Sequence, residues 1–113
     1  MAKSYKEITN DISRNLQNLG KEHPEMMEAF QALQGAAIQD GALNKKTKEL
    51  IALAIGISSR CDGCIGFHTK KLIEFGCTRK EFVEMLSTTV FMGGGPVLMY
   101  AANALDAYDE FSK

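Results

Sequence analysis

The chain has 113 residues, 45% of them apolar and 24% charged, with a formal net charge of −1. That length suits one domain, residues 1–113, with a modest core, and the near-neutral balance gives no general attraction to nucleic acid or to an anionic membrane. The longest apolar run, 50–57 (LIALAIGI), has eight residues, against the roughly 18 of a membrane span.

The polar opening MAKSYKEITND does not read as a secretory signal, so a cytoplasmic location is the expectation. Three cysteines in such a chain suit reactivity or metal binding better than structural stapling. Tyr5, Ile8, Ile12, Leu16 and Leu19 keep a helical spacing and predict a first helix that Gly20 interrupts. Pro24 suits the first position of a second helix, with His23 as its cap and Met26, Phe30, Leu33 and Ala37 carrying it toward Gly41.

Asn44 predicts the cap of a third helix, covered nearly all round and ending near residues 58–60. A fourth runs from about Cys61 to Phe75, with Gly76 in the left-handed position that follows. Thr78-Arg79-Lys80-Glu81 is a capping box that opens a fifth through Phe82, Met85, Leu86 and Val90. Gly93-Gly94-Gly95-Pro96 breaks the chain, and Pro96 starts a sixth whose inner face is Leu98, Ala101, Leu105 and Tyr108.

The fold class is therefore all-α, a compact antiparallel bundle of about six helices. A helix as apolar as the third needs more cover than a small bundle supplies, and this predicts helix packing between subunits. The alternative is a central helix within one subunit.

The residues with chemistry gather at Cys61-Asp62-Gly63-Cys64 and His68. Positions 61, 64 and 68 share a helix face with Ile65, Leu72 and Phe75, so the sulfurs are expected to point inward. In a redox reading the helix N-terminus favours thiolate, and the pair can close into a disulfide after one sulfur has attacked a substrate. His68, one turn beyond Cys64, can move a proton.

Glu49 precedes Cys61 by twelve residues, and a hairpin between the third and fourth helices can bring it back as a partly buried proton acceptor. It can equally remain a surface acid in its helix's early turns. In a zinc reading Cys61, Cys64 and His68 are three ligands, with Glu49 or Cys77 as a fourth, but no second Cys/His pair is present. Inert packing is the third possibility. Cys77 itself reads as a packed, unreactive thiol, and the glycine run has no Lys-Ser/Thr after it to make a phosphate loop.

Glu49, eleven intervening residues, then Cys61-x-x-Cys64-x-x-x-His68 resembles the motif of the alkylhydroperoxidase D-like proteins of the carboxymuconolactone decarboxylase superfamily. His23-Pro24-Glu25 with Phe30, Leu43, Glu49-Leu50-Ile51 and Gly93-Gly94-Gly95-Pro96 are similar to short members, so the resemblance covers roughly residues 20 to 110. It implies an all-α fold built from dimers, often as trimers or hexamers. The implied activity is thiol-dependent peroxidase or disulfide-oxidoreductase chemistry of an antioxidant, peroxiredoxin-like kind. A hydroperoxide would be the substrate and a dithiol or thiol protein the electron donor, with no bound cofactor or metal beyond a redox-active Cys61–Cys64 disulfide.

Carried over residue by residue, Cys64 is the attacking sulfur, Cys61 its proton donor and resolving partner, and Glu49 and His68 the proton relay. The founding enzymes of that family have a histidine just before the second cysteine, where this chain has Gly63. The superfamily's true decarboxylases lack the cysteine pair, and lactone decarboxylation stands only as an alternative.

Overall fold

The computed structural model describes residues 2–113 as six helices: α1 (Tyr5–Glu22), α2 (Pro24–Ala37), α3 (Lys45–Ser58), α4 (Asp62–Glu74), α5 (Arg79–Gly93) and α6 (Gly95–Phe111). Among the described residues there is no strand. Met1, the first residue of the expected domain, lies outside them.

Local side chains set most of the helix starts. Ser4 accepts from the Glu7 amide, Asn44 accepts from the Thr47 amide, and Thr78 and Glu81 satisfy each other's backbone donors. His23 stands before α2, but its side chain makes no capping bond and Pro24 begins the helix without it. Gly20 does not interrupt α1, which continues to Glu22; one helical glycine costs about 1 kcal/mol relative to alanine, too little to stop a helix anchored elsewhere by packing.

The core forms around α4, which packs against α1, α3 and α6. Ile65 and Leu72 of α4, Leu53 and Ile57 of α3, Tyr5 of α1 and Phe82 of α5 are fully buried together. The inner face of α6 is Val97, Ala101, Ala104 and Ala107, rotated from the expected Leu98, Ala101, Leu105 and Tyr108. Leu98 is exposed, whereas Leu105 and Tyr108 pack at the margin of the core. Small residues let the α6 backbone lie close to its neighbours, so the face with the smaller side chains turns inward. Tyr108 also stacks on Phe82, ring centroids 4.8 Å apart, and donates its hydroxyl to the Cys77 carbonyl at 2.9 Å.

Two apolar faces lack full cover within the chain. α3 is not enclosed all round within one chain, because Ile51 and Ile55 are exposed. α2 buries no residue and touches only α1. Its Phe30 and Leu33, whose spacing carries the helix, are 59% and 65% exposed.

Candidate dithiol site

The turn that delivers the dithiol is built by backbone bonds at the end of α3. The Arg60 amide donates to the Ile57 carbonyl and the Cys61 amide to the Gly56 carbonyl, both at 3.0 Å. This is the paired closure that ends many helices, and it needs a left-handed residue. Arg60 supplies it with φ of 56°, at a cost of about 1–2 kcal/mol for a residue with a side chain. The same closure at the end of α4 uses Gly76 (φ 78°), where no such cost arises.

Cys61 then occupies the N-cap of α4. Its sulfur accepts from the Cys64 amide at 3.1 Å, where helices ordinarily place an oxygen. The Cys61 and Cys64 sulfurs lie at disulfide-bonding distance, with Cα atoms 5.2 Å apart. α3 approaches Cys64 through Gly56, whose added Cβ would stand 2.8 Å from the Cys64 Cβ. The only sequence signal for this approach is a glycine inside an otherwise bulky apolar run.

On the same helix pair, Glu49 is 2% exposed, so the surface-acid alternative is not what the hairpin produces. Its Oε2 lies 2.6 Å from His68 Nδ1. A carboxylate can only accept, so Nδ1 carries the proton and Nε2 of the neutral ring is left as the basic nitrogen. His68 remains about one-quarter exposed at its side chain. The hairpin thus presents the four expected residues as two pairs: the bonded sulfurs at the start of α4, and, one helical turn on in sequence, an imidazole held by a buried carboxylate of α3.

Gly63 faces α1. A Cβ there would meet Ile12 Cδ1 at 2.8 Å, so Ile12 crowds the direction a side chain at this position would take. Cys77 does not join the site. It is buried beyond the far end of α4, thirteen residues or about 20 Å of helix from Cys61, and burial pushes its thiol above the usual range. Among the described residues no three His, Cys, Asp or Glu side chains are placed to hold a metal ion. A groove of about 580 Å³ between α1 and α2 is lined by Leu16, Met26, Met27, Phe30 and Phe67 among others, and none of the four site residues reaches it.

Sequence reasoning missed the residues that hold Asp62, the first helical residue of α4. Lys3 Nζ lies 2.8 and 3.1 Å from its two carboxylate oxygens, and the Tyr5 hydroxyl donates to Oδ1 at 3.0 Å. No local pattern could have joined positions 57 and 59 residues apart.

Residues 24–107 match the profile of the Carboxymuconolactone decarboxylase family. An uncharacterized protein from Cupriavidus necator is 40% identical over 109 residues, covering 96% of each chain. The apo crystal structure of a carboxymuconolactone decarboxylase family protein from Legionella pneumophila superposes with a TM-score of 0.95 at 53% identity, covering 96% of this chain and 97% of that one. A further member from Thermotoga maritima, for which involvement in an antioxidative response has been suggested, superposes with a TM-score of 0.81 at 27% identity over 92% and 89% of the two chains.

Proposed function

The chain belongs to the carboxymuconolactone decarboxylase family, and from that premise we propose that it is a cytoplasmic thiol-dependent oxidoreductase that reduces hydroperoxides and is re-reduced by an external dithiol or thiol protein. The observation that carries this reading is the pairing of a bonded Cys61–Cys64 couple with a buried Glu49–His68 couple on one helical hairpin. The antioxidative role suggested for the Thermotoga maritima relative points the same way.

In the reduced protein the Cys64 thiolate attacks one peroxide oxygen and the O–O bond breaks. The departing alkoxide takes a proton and leaves as the alcohol, while Cys64 becomes a sulfenic acid. The Cys61 sulfur then attacks Cys64, the S–O bond breaks, and the oxygen leaves as water. Two thiols and one hydroperoxide become one disulfide, one alcohol and one water, and the external dithiol returns the two electrons. Cys64 is assigned the attack and Cys61 the resolution from the family's pattern.

Glu49 holds the His68 ring through Nδ1, so that Nε2 can take the thiol proton and return it to the leaving oxygen. With Gly63 in place of the family histidine, the relay consists of this one carboxylate and one imidazole. The working form is a homo-oligomer, a dimer or a trimer or hexamer assembled from dimers, and the uncovered apolar faces of α2 and α3 support it. The test is peroxide consumption with dithiothreitol as donor. Cys64→Ser should abolish turnover and Cys77→Ser should leave it within about twofold; turnover that survives Cys64→Ser contradicts the proposal.

A further inference from the structure

Asp62 is an unexpected residue for a dithiol turn. It sits between the two cysteines, in the first turn of α4, where thiolate is meant to be favoured. A carboxylate there opposes a second negative charge, so left alone it would hold the thiols protonated. The structure does not leave it alone. Lys3 Nζ contacts both carboxylate oxygens, at 2.8 and 3.1 Å, and the Tyr5 hydroxyl donates to Oδ1 at 3.0 Å.

These two residues are themselves fixed. The Tyr5 ring is fully buried, and its amide and the Ser4 hydroxyl both donate to the Glu110 carboxylate of α6 at 2.7 Å. Burial works against ionisation of Glu110, but these donors outweigh it and keep the carboxyl below its usual range. The Lys3 ammonium also lies 5.1 Å from the centroid of the Tyr100 ring of α6. Along α1 the strap is drawn onto α4 at Gly66, whose missing side chain leaves room for Thr9 and Tyr5. The segment Lys3–Tyr5 therefore ties the end of α6 to the first turn of α4.

We propose that Lys3, aided by Tyr5, is a positioning residue for the Cys61–Cys64 dithiol, acting through Asp62: it neutralises and anchors the one carboxylate in the dithiol turn, so that the sulfurs meet the field of a helix N-terminus instead of that of an aspartate. This rests on the reading of Cys61 and Cys64 as a reactive pair. Lys3 and Tyr5 contact Asp62, Tyr100 and Asp106 of α6 stand near those two, Arg60 precedes Cys61 in the chain, and the Glu49–His68 couple belongs to the same α3–α4 hairpin. Among these, Lys3 is the cation that touches Asp62.

The test uses the reduced full chain and the rate of iodoacetamide labelling at residues 61–64, followed against pH by mass spectrometry. Labelling needs no peroxide. Lys3→Met should move the midpoint of the faster-reacting thiol upward by about 0.3–0.7 pH unit, a two- to fivefold loss of thiolate near neutral pH. Asp62→Asn, which keeps an oxygen for Tyr5, should move it downward by a similar amount. The double variant should return close to the unmodified protein, and Lys3→Arg should match it throughout. A purely structural strap would move both single variants the same way or neither, and that result overturns the proposal.

Lys3 is a surface side chain and Asp62→Asn is isosteric, so unchanged helical circular dichroism is the expected control. If Lys3→Met loses helix, Lys3→Gln takes its place in the comparison with Asp62→Asn. Should peroxide consumption be absent while the opposing shifts are present, the peroxidase reading fails and this one stands. Consumption with no opposing shifts gives the reverse.

Discussion

α4 and α2 are of similar length, thirteen and fourteen residues, and both carry apolar stripes, yet they live in opposite surroundings. α4 has helices on three sides and buries Ile65, Gly66, Thr69 and Leu72, whereas α2 touches α1 alone and buries nothing. α4 owes its cover to absent side chains: Gly66 lets α1 come close, and Gly56 on α3 lets the hairpin close on Cys64. α2 has a glycine too, Gly35, but nothing lies within 4 Å of where its Cβ would be. Apolar periodicity alone therefore does not distinguish a helix covered on three sides from one left largely bare. The distinction lies in where backbones approach.

The largest expected effect sits on the α4 side. Glu49→Gln keeps the shape of the side chain but removes the charge that orients His68. It should slow peroxide-driven disulfide formation by about a hundredfold or more while the fold survives. Glu28→Gln on α2 should leave the rate within about twofold. Equal effects from the two would erase the contrast between the helices.

Next in size is assembly. Phe30→Glu puts a charge on the uncovered face of α2, and light scattering should show the oligomer giving way toward the 12.4 kDa single chain. An unchanged mass would mean that this face is not where copies meet. Smallest is the effect on stability, read by urea denaturation. Gly66→Ala drives a methyl into Thr9 and should cost about 1–3 kcal/mol, whereas Gly35→Ala should be neutral or stabilising by up to about 1 kcal/mol. If Gly35→Ala costs as much as Gly66→Ala, α2 is tightly covered at that point by another copy.

Helix number and most boundaries could be read from the sequence because their causes are local. Asn44, Thr78 with Glu81, and Gly76 act on backbone groups within a few residues of themselves. The dithiol with His68 was equally plain, since one helical turn fixes their relation. Hairpin length made Glu49's return toward α4 readable, but not its bond to His68, and the alternative of a surface acid fell to burial, which depends on how α3 and α4 meet.

What could not be read was set by packing at a distance. The α6 inner face turned toward Ala104 and Ala107 because close approach selects small side chains, a preference opposite to that of a hydrophobicity count. The stripe of α2 was visible as apolar, but nothing in it says whether its cover lies in the same chain. Lys3 and Tyr5 reach Asp62 across the whole of α1, α2 and α3, and Arg60 adopts a left-handed backbone that its side chain does not favour.

The central claim is that Cys61 and Cys64 form one two-electron couple driven by the Glu49–His68 hairpin. It is tested most directly by adding one equivalent of hydroperoxide to the fully reduced chain and mapping thiols by mass spectrometry. The account expects a loss of two hydrogens confined to residues 61–64, with Cys77 still a thiol. In Cys61→Ser it expects the mass gain of a sulfenic acid at Cys64. A reduced 61–64 segment after peroxide has been added, or oxidation that falls first on Cys77, would contradict it.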